Sequence, residues 1–229
     1  MKTIGLIGGT TWVSTIEYYR IINETIKEKL GGAHSAHLIL YSVDFDDFII
    51  KREGKWDEIA YSFIDIAKKL EQSGADFLVI CANTLHKIAD EIQDSIHIPI
   101  LHIVDVTAER ILKKGLNKVG LIGTKYTMEE NFYKQRLKQK FNIETIVPET
   151  KEREIIHKII FNELTYEIIK QSSKDKYIKI INDLISRGAQ GIILGCTEIP
   201  MLIKDNDIDT IIFDTTSIHA KSAVDYALK

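Results

Sequence analysis

Short runs of apolar, often β-branched residues alternate along this chain with longer stretches whose apolar positions recur at helical spacing. This alternation is typical of a parallel α/β protein, in which a helix follows each strand and packs on the sheet. The predicted strands are residues 3–8, 37–43, 76–81, 99–103, 118–123, 143–147, 190–195 and 209–213. The predicted helices lie near residues 13–30, 55–73, 84–94, 105–114, 127–140, 151–162, 174–187 and 217–228.

The second half of the chain repeats features of the first half in the same order. Residues 3–8 (TIGLIG) match residues 118–123 (KVGLIG), and residues 74–80 (GADFLVI) match residues 188–194 (GAQGIIL). Any two strand–turn–helix units resemble each other to some degree. Two matched pairs in the same order nevertheless favour a duplication.

The duplication predicts two pseudo-symmetric α/β domains, each a mostly parallel sheet flanked by helices. We expect the first domain to comprise residues 1–98 with residues 215–229, and the second to comprise residues 99–214. Parallel sheets place their ligands at the carboxyl ends of the strands. We therefore expect a cleft between the two domains, lined by those ends, to hold the active site.

Composition narrows the class of protein. Of 229 residues, 45% are apolar and 28% are charged, and the net charge is −3, as in ordinary globular proteins. Basic residues are scattered among acidic ones, so we expect no nucleic-acid partner. We expect no membrane span and no signal peptide, because no apolar run approaches the roughly 20 residues a span needs. Cys81 and Cys196 lie far apart, so we expect no disulfide framework and a cytoplasmic location.

Four of the predicted strands end in a short polar segment at the point where a helix is expected to begin. Unpaired backbone N–H groups, hydroxyls and the positive end of a helix dipole suit such a segment to a carboxylate. Helix capping is the commoner use of Thr and Asn there, but four related segments favour a shared anion site. The candidate binding residues in these segments are Thr10, Thr11, Asn83, Thr84, Thr124 and Thr197.

Cys196 is the sharpest candidate for an acid/base. It follows the predicted strand 190–195 and precedes a predicted helix start. A helix N-terminus can lower the pKa of a thiol below its free value of about 8.5, which generates the thiolate that a base requires. The alternative is a buried cysteine that acts as a small apolar residue. The duplicated, polar setting favours chemistry.

Other motifs are weaker. The glycines of the first turn lack the spacing of a dinucleotide-binding loop, and no phosphate-loop motif occurs. His34 and His37 are a single pair of histidines three residues apart, which is weak evidence for a metal site, so we expect none. His86 either supports the polar segment before it or merely faces a helix. Lys51 and Arg52 either contact an acidic substrate side chain or form a solvated basic pair.

Four stretches of the chain resemble the aspartate/glutamate racemase superfamily, whose members work without pyridoxal phosphate. The resemblance implies two pseudo-symmetric α/β domains with the active site between them, usually in a homodimer, and no metal, nucleotide or pyridoxal cofactor. Members remove the α-proton of a small acidic amino acid with one cysteine and return it from the other face with a second. The stretches are residues 5–9 with Trp12, Ser14, Thr15, Tyr18 and Tyr19, residues 42–45, residues 83–86, and residues 195–199.

The resemblance also implies roles for particular residues. Cys196 would be the main acid/base, and the substrate would be a dicarboxylic amino acid, either aspartate or glutamate. Lys51 lies near the point where members contact the distal carboxylate of the substrate. The residues implied to hold the first carboxylate or to close the pocket are Asn83, Thr84 and Thr197, with the turn Thr10-Thr11-Trp12.

The first cysteine departs from the superfamily pattern. Two-cysteine members carry it directly before Asn-Thr, where this chain has Ala82, and Cys81 lies one residue earlier. The internal repeat independently pairs Ala82 with Cys196 and Cys81 with Gly195. Because successive side chains on a strand point to opposite faces, we expect Cys81 to point into the core.

Several hypotheses follow from this departure. In the first, Cys196 is the only thiol in the site, and water or a hydroxyl of Thr10, Thr11 or Thr124 serves the opposite face. Racemisation would then be slow or biased in one direction, because a hydroxyl is a poor base at neutral pH. In the second, Cys81 does reach the substrate as a second catalytic thiol. In the third, the chain is a one-cysteine decarboxylase or isomerase of the same superfamily, or a small-acid binding protein without turnover.

Overall fold

The computed structural model describes residues 1–48, 51 and 53–229 of the chain. The chain forms two compact units, Met1–Ile103 with His219–Lys229, and Val104–Ile218. The boundaries expected after residues 98 and 214 lie a few residues earlier. Each unit contains a parallel sheet, so the predicted fold class, an α/β protein with two parallel sheets flanked by helices, is confirmed.

The first unit contains a three-stranded parallel sheet in the order β2-β1-β3. Strand β1 (Ile4–Gly8) lies in the centre and pairs with β2 (Leu38–Ser42) and with β3 (Phe77–Ile80). The helices that begin in this part of the chain are α1 (Trp12–Leu30), α2 (Phe45–Phe48), α3 (Trp56–Gln72), α4 (Ala89–Gln93) and α5 (Ile103–Lys113), with a 3-10 helix at Thr84–Ile88.

The alternation of side chains along β3 divides the core of the first unit into two apolar clusters. Leu78 and Ile80 belong to one cluster, which includes Phe63 of α3. Phe77 and Val79 belong to the other, which includes Tyr18 of α1. Both faces of this strand are therefore buried, as its continuous apolar sequence predicts.

The second unit contains a four-stranded parallel sheet in the order β5-β4-β6-β7. Its core includes Tyr177, which is fully buried. The strands are β4 (Lys118–Gly123), β5 (Glu144–Ile146), β6 (Gly191–Gly195) and β7 (Ile211–Asp214). The helices are α6 (Lys125–Glu129), α7 (Asn131–Phe141), α8 (Thr150–Asn162), α9 (Gln171–Ser186) and α10 (Ile199–Leu202), and helix α11 (Thr215–Ala227) follows β7.

The strand predicted at residues 99–103 is wrong, because only Ile100 makes a bridge, to Leu78. Pro99 has no N–H and offers the sheet only its carbonyl, which accepts from Leu78 (2.9 Å). The N–H of Ile103, where helix α5 begins, donates to the ring of His86 instead of to a strand (3.1 Å). The bridge nevertheless lies beside β3 as β7 lies beside β6, so the two sheets share one strand order.

The predicted helices agree with the structure in position but not always in form. The helix expected near residues 84–94 is a 3-10 turn followed by α4. The helix expected near residues 127–140 is divided into α6 and α7, because Glu130 between them is extended. Among the described residues, no helix combines the length and the apolar character that crossing a membrane requires.

Candidate active site

The first candidate segment joins β1 to α1. Gly9 has a φ of +86°, and a Cβ atom there would collide with the backbone of Val43, so this turn requires glycine. The N–H of Gly9 donates to Oγ1 of Thr15 (2.8 Å), and the Thr15 hydroxyl donates to the carbonyl of Thr11 (3.0 Å). These two bonds hold the polar turn against the first turn of the helix.

The two threonines of this turn differ in their hydrogen bonds. Thr11 is the N-cap of α1, and its hydroxyl oxygen accepts from the N–H of Ser14 (3.3 Å). Thr10 is also buried, but its hydroxyl has no hydrogen-bond partner among the described residues. Leaving a buried hydroxyl unpaired costs about 1–3 kcal/mol. Thr10 therefore has a hydrogen-bonding capacity that a ligand can use.

The second candidate segment follows β3 in the same unit. The thiol of Cys81 is fully buried in the cluster that includes Tyr18, whereas Ala82 belongs to the cluster on the other side of the strand. Burial raises the pKa of the Cys81 thiol far above its usual range. The Ser14 hydroxyl donates to the carbonyl of Cys81 (3.0 Å) and ties this segment to the first one. Cys81 is thus buried in the core, on the side of the strand that its alternation predicts.

His86 contacts the backbone of the second segment. Its Nε2 accepts the N–H of Ile103 (3.1 Å), which requires that Nδ1 carry the proton and donate it to the carbonyl of Ala82 (2.8 Å). The ring packs edge to face against those of His102 (4.6 Å between centroids) and His219 (5.7 Å). These contacts fit the interpretation that His86 supports the polar segment before it. Asn83 and Thr84 lie in the chain that it supports; Asn83 is buried and Thr84 is half-buried.

Lys51 is exposed and engaged by acidic neighbours. Its ammonium lies 2.6 Å from Asp47 and 2.9 Å from Asp46, and these carboxylates raise the pKa of Lys51. Two carboxylates therefore already engage the Lys51 ammonium, and a distal carboxylate of the substrate would compete with them. Arg52 lies outside the described residues.

The first candidate segment of the second unit joins β4 to α6. Thr124 is the N-cap of α6, where its hydroxyl oxygen accepts from the N–H of Thr127 (3.3 Å) and pairs with the Thr127 hydroxyl (3.1 Å). The N–H of Lys125 donates to Nδ1 of His157 (3.2 Å). In this structure Thr124 therefore caps the N-terminus of α6.

The last candidate segment follows β6 and contains the second cysteine. The Cys196 thiol donates to Oε2 of Glu198 (2.9 Å), and the Thr197 hydroxyl donates to the same oxygen (2.8 Å). Cys196 is 8% exposed and Glu198 is 4% exposed. A Cβ atom on Gly195 would come within 2.9 Å of a methyl group of Leu121. At the position that the repeat pairs with Cys81, a side chain would thus require Leu121 to shift.

The sequence-based expectation that a helix N-terminus lowers the pKa of Cys196 is wrong. Burial raises the pKa of this thiol well above its ordinary value, and the negative charge of Glu198 raises it further. Hydrogen bonds from the backbone act in the opposite direction but do not outweigh these effects. Helix α10 begins only at Ile199 and has four residues, so its dipole is small.

No group of three or more His, Cys, Asp or Glu side chains within the described ranges is arranged to hold a metal ion. His34 and His37 are both exposed. Neither cysteine forms a disulfide.

Comparison with known proteins fixes the family. The Asp/Glu/Hydantoin racemase family matches the chain over residues 7–223, which include every candidate segment. The chain belongs to this family.

Three relatives of this racemase-family chain align with it over almost their whole length. A broad specificity amino-acid racemase of Bacillus subtilis is 26% identical to it, with 96% of each chain covered. A Yersinia pestis crystal structure, provisionally described as an Asp/Glu racemase, is 48% identical, with 100% of each chain covered and a TM-score of 0.94. An aspartate racemase homologue from Pyrococcus horikoshii OT3 is 38% identical, with full coverage of both chains and a TM-score of 0.87. Amino-acid racemases are isomerases, and this is the class of enzyme to which the family points.

Two features of the site in this racemase-family chain escaped prediction from the sequence. Glu198 lies within the family-like stretch 195–199, but the sequence predicts no role for it, although its spacing of two residues from the thiol is a usable signal. His86 contacts the carbonyl of Ala82, four residues earlier, and the N–H of Ile103, 17 residues later, and no local pattern indicates the second of these contacts.

Proposed function

We propose that this chain is a cofactor-independent racemase of an acidic amino acid, aspartate or glutamate, with Cys196 as the main acid/base. The observation that carries the proposal is the buried Cys196 thiol at the end of β6, held 2.9 Å from a carboxylate. Membership of the racemase family supports the reaction class. A thiol that exchanges protons with a neighbouring base is suited to removing a proton next to a carboxylate and returning it.

We propose several partners for the carboxylate of the substrate. Thr10 supports this assignment best, because its buried hydroxyl has no partner among the described residues. The other proposed partners are Thr11, Asn83, Thr84, Thr124 and Thr197, and Lys51 is proposed for the distal carboxylate.

The proposed reaction is asymmetric in its rates. Cys196 provides a thiol in the second unit, whereas the paired position in the first unit is Ala82, and the nearby Cys81 thiol is buried in the core. Water or a threonine hydroxyl then serves in place of a second thiol. Equilibrium still fixes the final ratio of enantiomers, so the asymmetry lies only in the two rates.

The test is incorporation of deuterium at the α-carbon from D2O into L- and D-aspartate and L- and D-glutamate, followed by mass spectrometry. We expect exchange with at least one of them, loss of about 10²-fold or more in Cys196→Ser, and retention in Cys81→Ala. Loss of exchange in Cys81→Ala with retention in Cys196→Ser would sink the assignment. The variant Ala82→Cys is expected to bring the exchange rates of the two enantiomers closer together.

If no amino acid exchanges its α-proton, the proposed function fails and two outcomes remain to be told apart. Release of CO2 from malonate-type acids would identify a one-cysteine decarboxylase of the same superfamily. Tight binding of a dicarboxylate, with a Cys196 thiol that iodoacetamide does not alkylate, would identify a binding protein.

We also propose that the enzyme is a cytoplasmic homodimer. The two free cysteines support a reducing compartment, and exposed apolar side chains on α1 support self-association.

A further inference from the structure

The segment that follows β3 is bound to His86 through two successive carbonyl groups. Nδ1–H of the His86 ring donates to the carbonyl of Ala82 (2.8 Å), and the backbone N–H of His86 donates to the carbonyl of Asn83 (3.0 Å). His86 is only 3% exposed, so water does not compete freely for these bonds. A single residue therefore holds the backbone at the start of this candidate segment.

These two bonds set the direction of the backbone between Ala82 and Thr84. In a trans peptide unit the C=O and the N–H point in opposite directions, and no peptide bond between described residues is cis. The carbonyls of Ala82 and Asn83 point towards His86. The N–H groups of Asn83 and Thr84, which belong to the same two peptide units, therefore point away from it.

The His86 ring is itself held in one orientation and one tautomer. Its Nε2 accepts the N–H of Ile103 (3.1 Å), so the proton of the neutral ring lies on Nδ1. The ring packs against those of His102 and His219, and His219 is tied in turn to the carbonyl of Leu101 (2.7 Å). A flip of the His86 ring would place carbon atoms where both nitrogens now bond. The surroundings of the ring thus select the form that donates to Ala82.

We propose that His86 is a positioning residue for substrate binding, whose ring fixes the backbone of Asn83 and Thr84 in the direction that a substrate carboxylate requires. This inference rests on the proposed function, which assigns Asn83 and Thr84 to that carboxylate, and deepens it. His86 exchanges no proton with the substrate in this role. It acts through the Ala82 carbonyl, and a rotation of that peptide unit would misalign the donors that follow it. Hydrogen bonds weaken steeply when their geometry departs from linearity.

A purely structural role for His86 predicts a different pattern of effects. The ring is buried, so replacing it lowers the free energy of unfolding in either case. If the ring only filled space, the KM of a variant would not depend on whether the bond to Ala82 remained. If the ring positions the segment, KM follows that bond.

The kinetic experiment compares wild type with His86→Asn and His86→Leu. The amide nitrogen of Asn is attached to Cγ, as Nδ1 of His is, and can donate to the Ala82 carbonyl, whereas Leu donates nothing. Both variants leave the N–H of Ile103 without the ring nitrogen, so the bond to Ala82 is what distinguishes them. KM and kcat are measured with aspartate and glutamate by optical rotation, and the free energy of unfolding is measured by urea titration.

We expect both variants to be less stable than wild type. We expect His86→Leu to raise KM about 10-fold or more and His86→Asn to keep KM within about threefold of wild type. The change in kcat should be smaller than the change in KM, because the carboxylate is held in the ground state and the transition state alike. A wild-type KM in His86→Leu, or a KM raised equally in both variants, would overturn the proposal. If His86→Leu does not fold, His86→Phe, which keeps an aromatic ring without a donor, takes its place with the same outcomes.

His219→Leu is the matched control. The His219 ring packs against that of His86 (5.7 Å between centroids), but its hydrogen bonds go to Leu101 and Tyr18 rather than to the candidate segment. We expect His219→Leu to lose stability while its KM stays like that of wild type. A KM raised as far as in His86→Leu would attribute the effect to packing of the rings and would contradict the proposed role.

Nitrogen-15 NMR of histidine-labelled protein tests the tautomer without any substrate. We expect Nδ1 of His86 to carry the proton and Nε2 to be unprotonated, with the signals assigned by their absence from His86→Asn. A proton on Nε2 would overturn the proposal, because Nδ1 could then not donate to Ala82. Absence of turnover in wild type would instead overturn the proposed function, whereas the NMR result would still decide how His86 holds the segment.

Discussion

Thr10 and Thr124 follow the ends of matched strands, yet their hydroxyls differ. Thr124 caps α6 through Thr127, whereas the buried hydroxyl of Thr10 has no partner among the described residues. We expect Thr10→Val to leave the free energy of unfolding unchanged or raise it, because the variant removes an unsatisfied group. We also expect it to raise KM about 10- to 100-fold, since a hydrogen bond to a charged carboxylate contributes about 1.5–3 kcal/mol.

Thr124→Val provides the contrast for this prediction. Loss of a helix N-cap typically costs about 1 kcal/mol, so this variant should be less stable in urea unfolding. KM is measured by the change in optical rotation as one enantiomer is converted. If Thr10→Val loses as much stability as Thr124→Val and keeps its KM, the Thr10 hydroxyl is structural and does not bind substrate.

The two cysteines differ in how much the sequence could reveal about them. Alignment of the two halves placed Ala82 opposite Cys196 and turned Cys81 away, and the burial of Cys81 agrees with that reading. The pKa of Cys196 could not be read the same way, because burial and a carboxylate brought back by a turn outweigh the helix dipole. Such effects depend on three-dimensional contacts rather than on local pattern.

At the scale of elements, His219 links helix α11 to two neighbours in the first unit. Its Nδ1 accepts the hydroxyl proton of Tyr18 on α1 (2.9 Å), and its Nε2–H donates to the carbonyl of Leu101 (2.7 Å). Burial lowers the pKa of His219 from 6.5 to about 4. Above pH 6.5 the ring is neutral in both the folded and the unfolded chain. As the pH falls towards 4, only the unfolded chain takes up the proton, so stability is lost.

We therefore expect wild type to lose about 2 kcal/mol more than His219→Gln in free energy of unfolding between pH 7 and pH 5. Urea titrations at several pH values measure the difference. Tyr18→Phe is the control, because it removes the hydroxyl but leaves the ring of His219 buried, and it should keep the steep dependence of wild type. Parallel pH profiles for wild type and His219→Gln would show that burial of this ring does not govern the dependence.

Among the elements, the strands show which predictions the apolar pattern supports and which it does not. Apolar runs bounded by turn residues located the seven strands that occur among the described residues. The run at residues 99–103 is also largely apolar, but it pairs with β3 only around Ile100, since His86 takes the N–H of Ile103. A distant histidine thus ends a strand that its own sequence favours.

At the scale of the whole molecule, the two units share an architecture but differ in the residues that follow their matched strands. Both units keep the same parallel strand order around the segments after β3 and β6. One unit carries a thiol beside a carboxylate at its matched position, and the other carries alanine. A fold can keep its packing through such a change because the altered side chain lies just beyond the end of a strand rather than within the strand.

The exposed apolar surface of α1 allows a test of assembly. Trp12, Ile16 and Tyr19 recur at helical spacing on one face and are 60%, 52% and 52% exposed. Exposed apolar side chains grouped in this way mark interaction sites.

We expect the wild-type protein to be a dimer by analytical ultracentrifugation. We expect Ile16→Asp to raise the dissociation constant of the dimer about 10-fold or more, because a buried, unpaired carboxylate is costly. Leu112→Asp, at an aliphatic residue of α5 that is 45% exposed, should leave the dimer intact. Equal weakening by both variants would place the interface elsewhere, and a monomeric wild type would rule the dimer out.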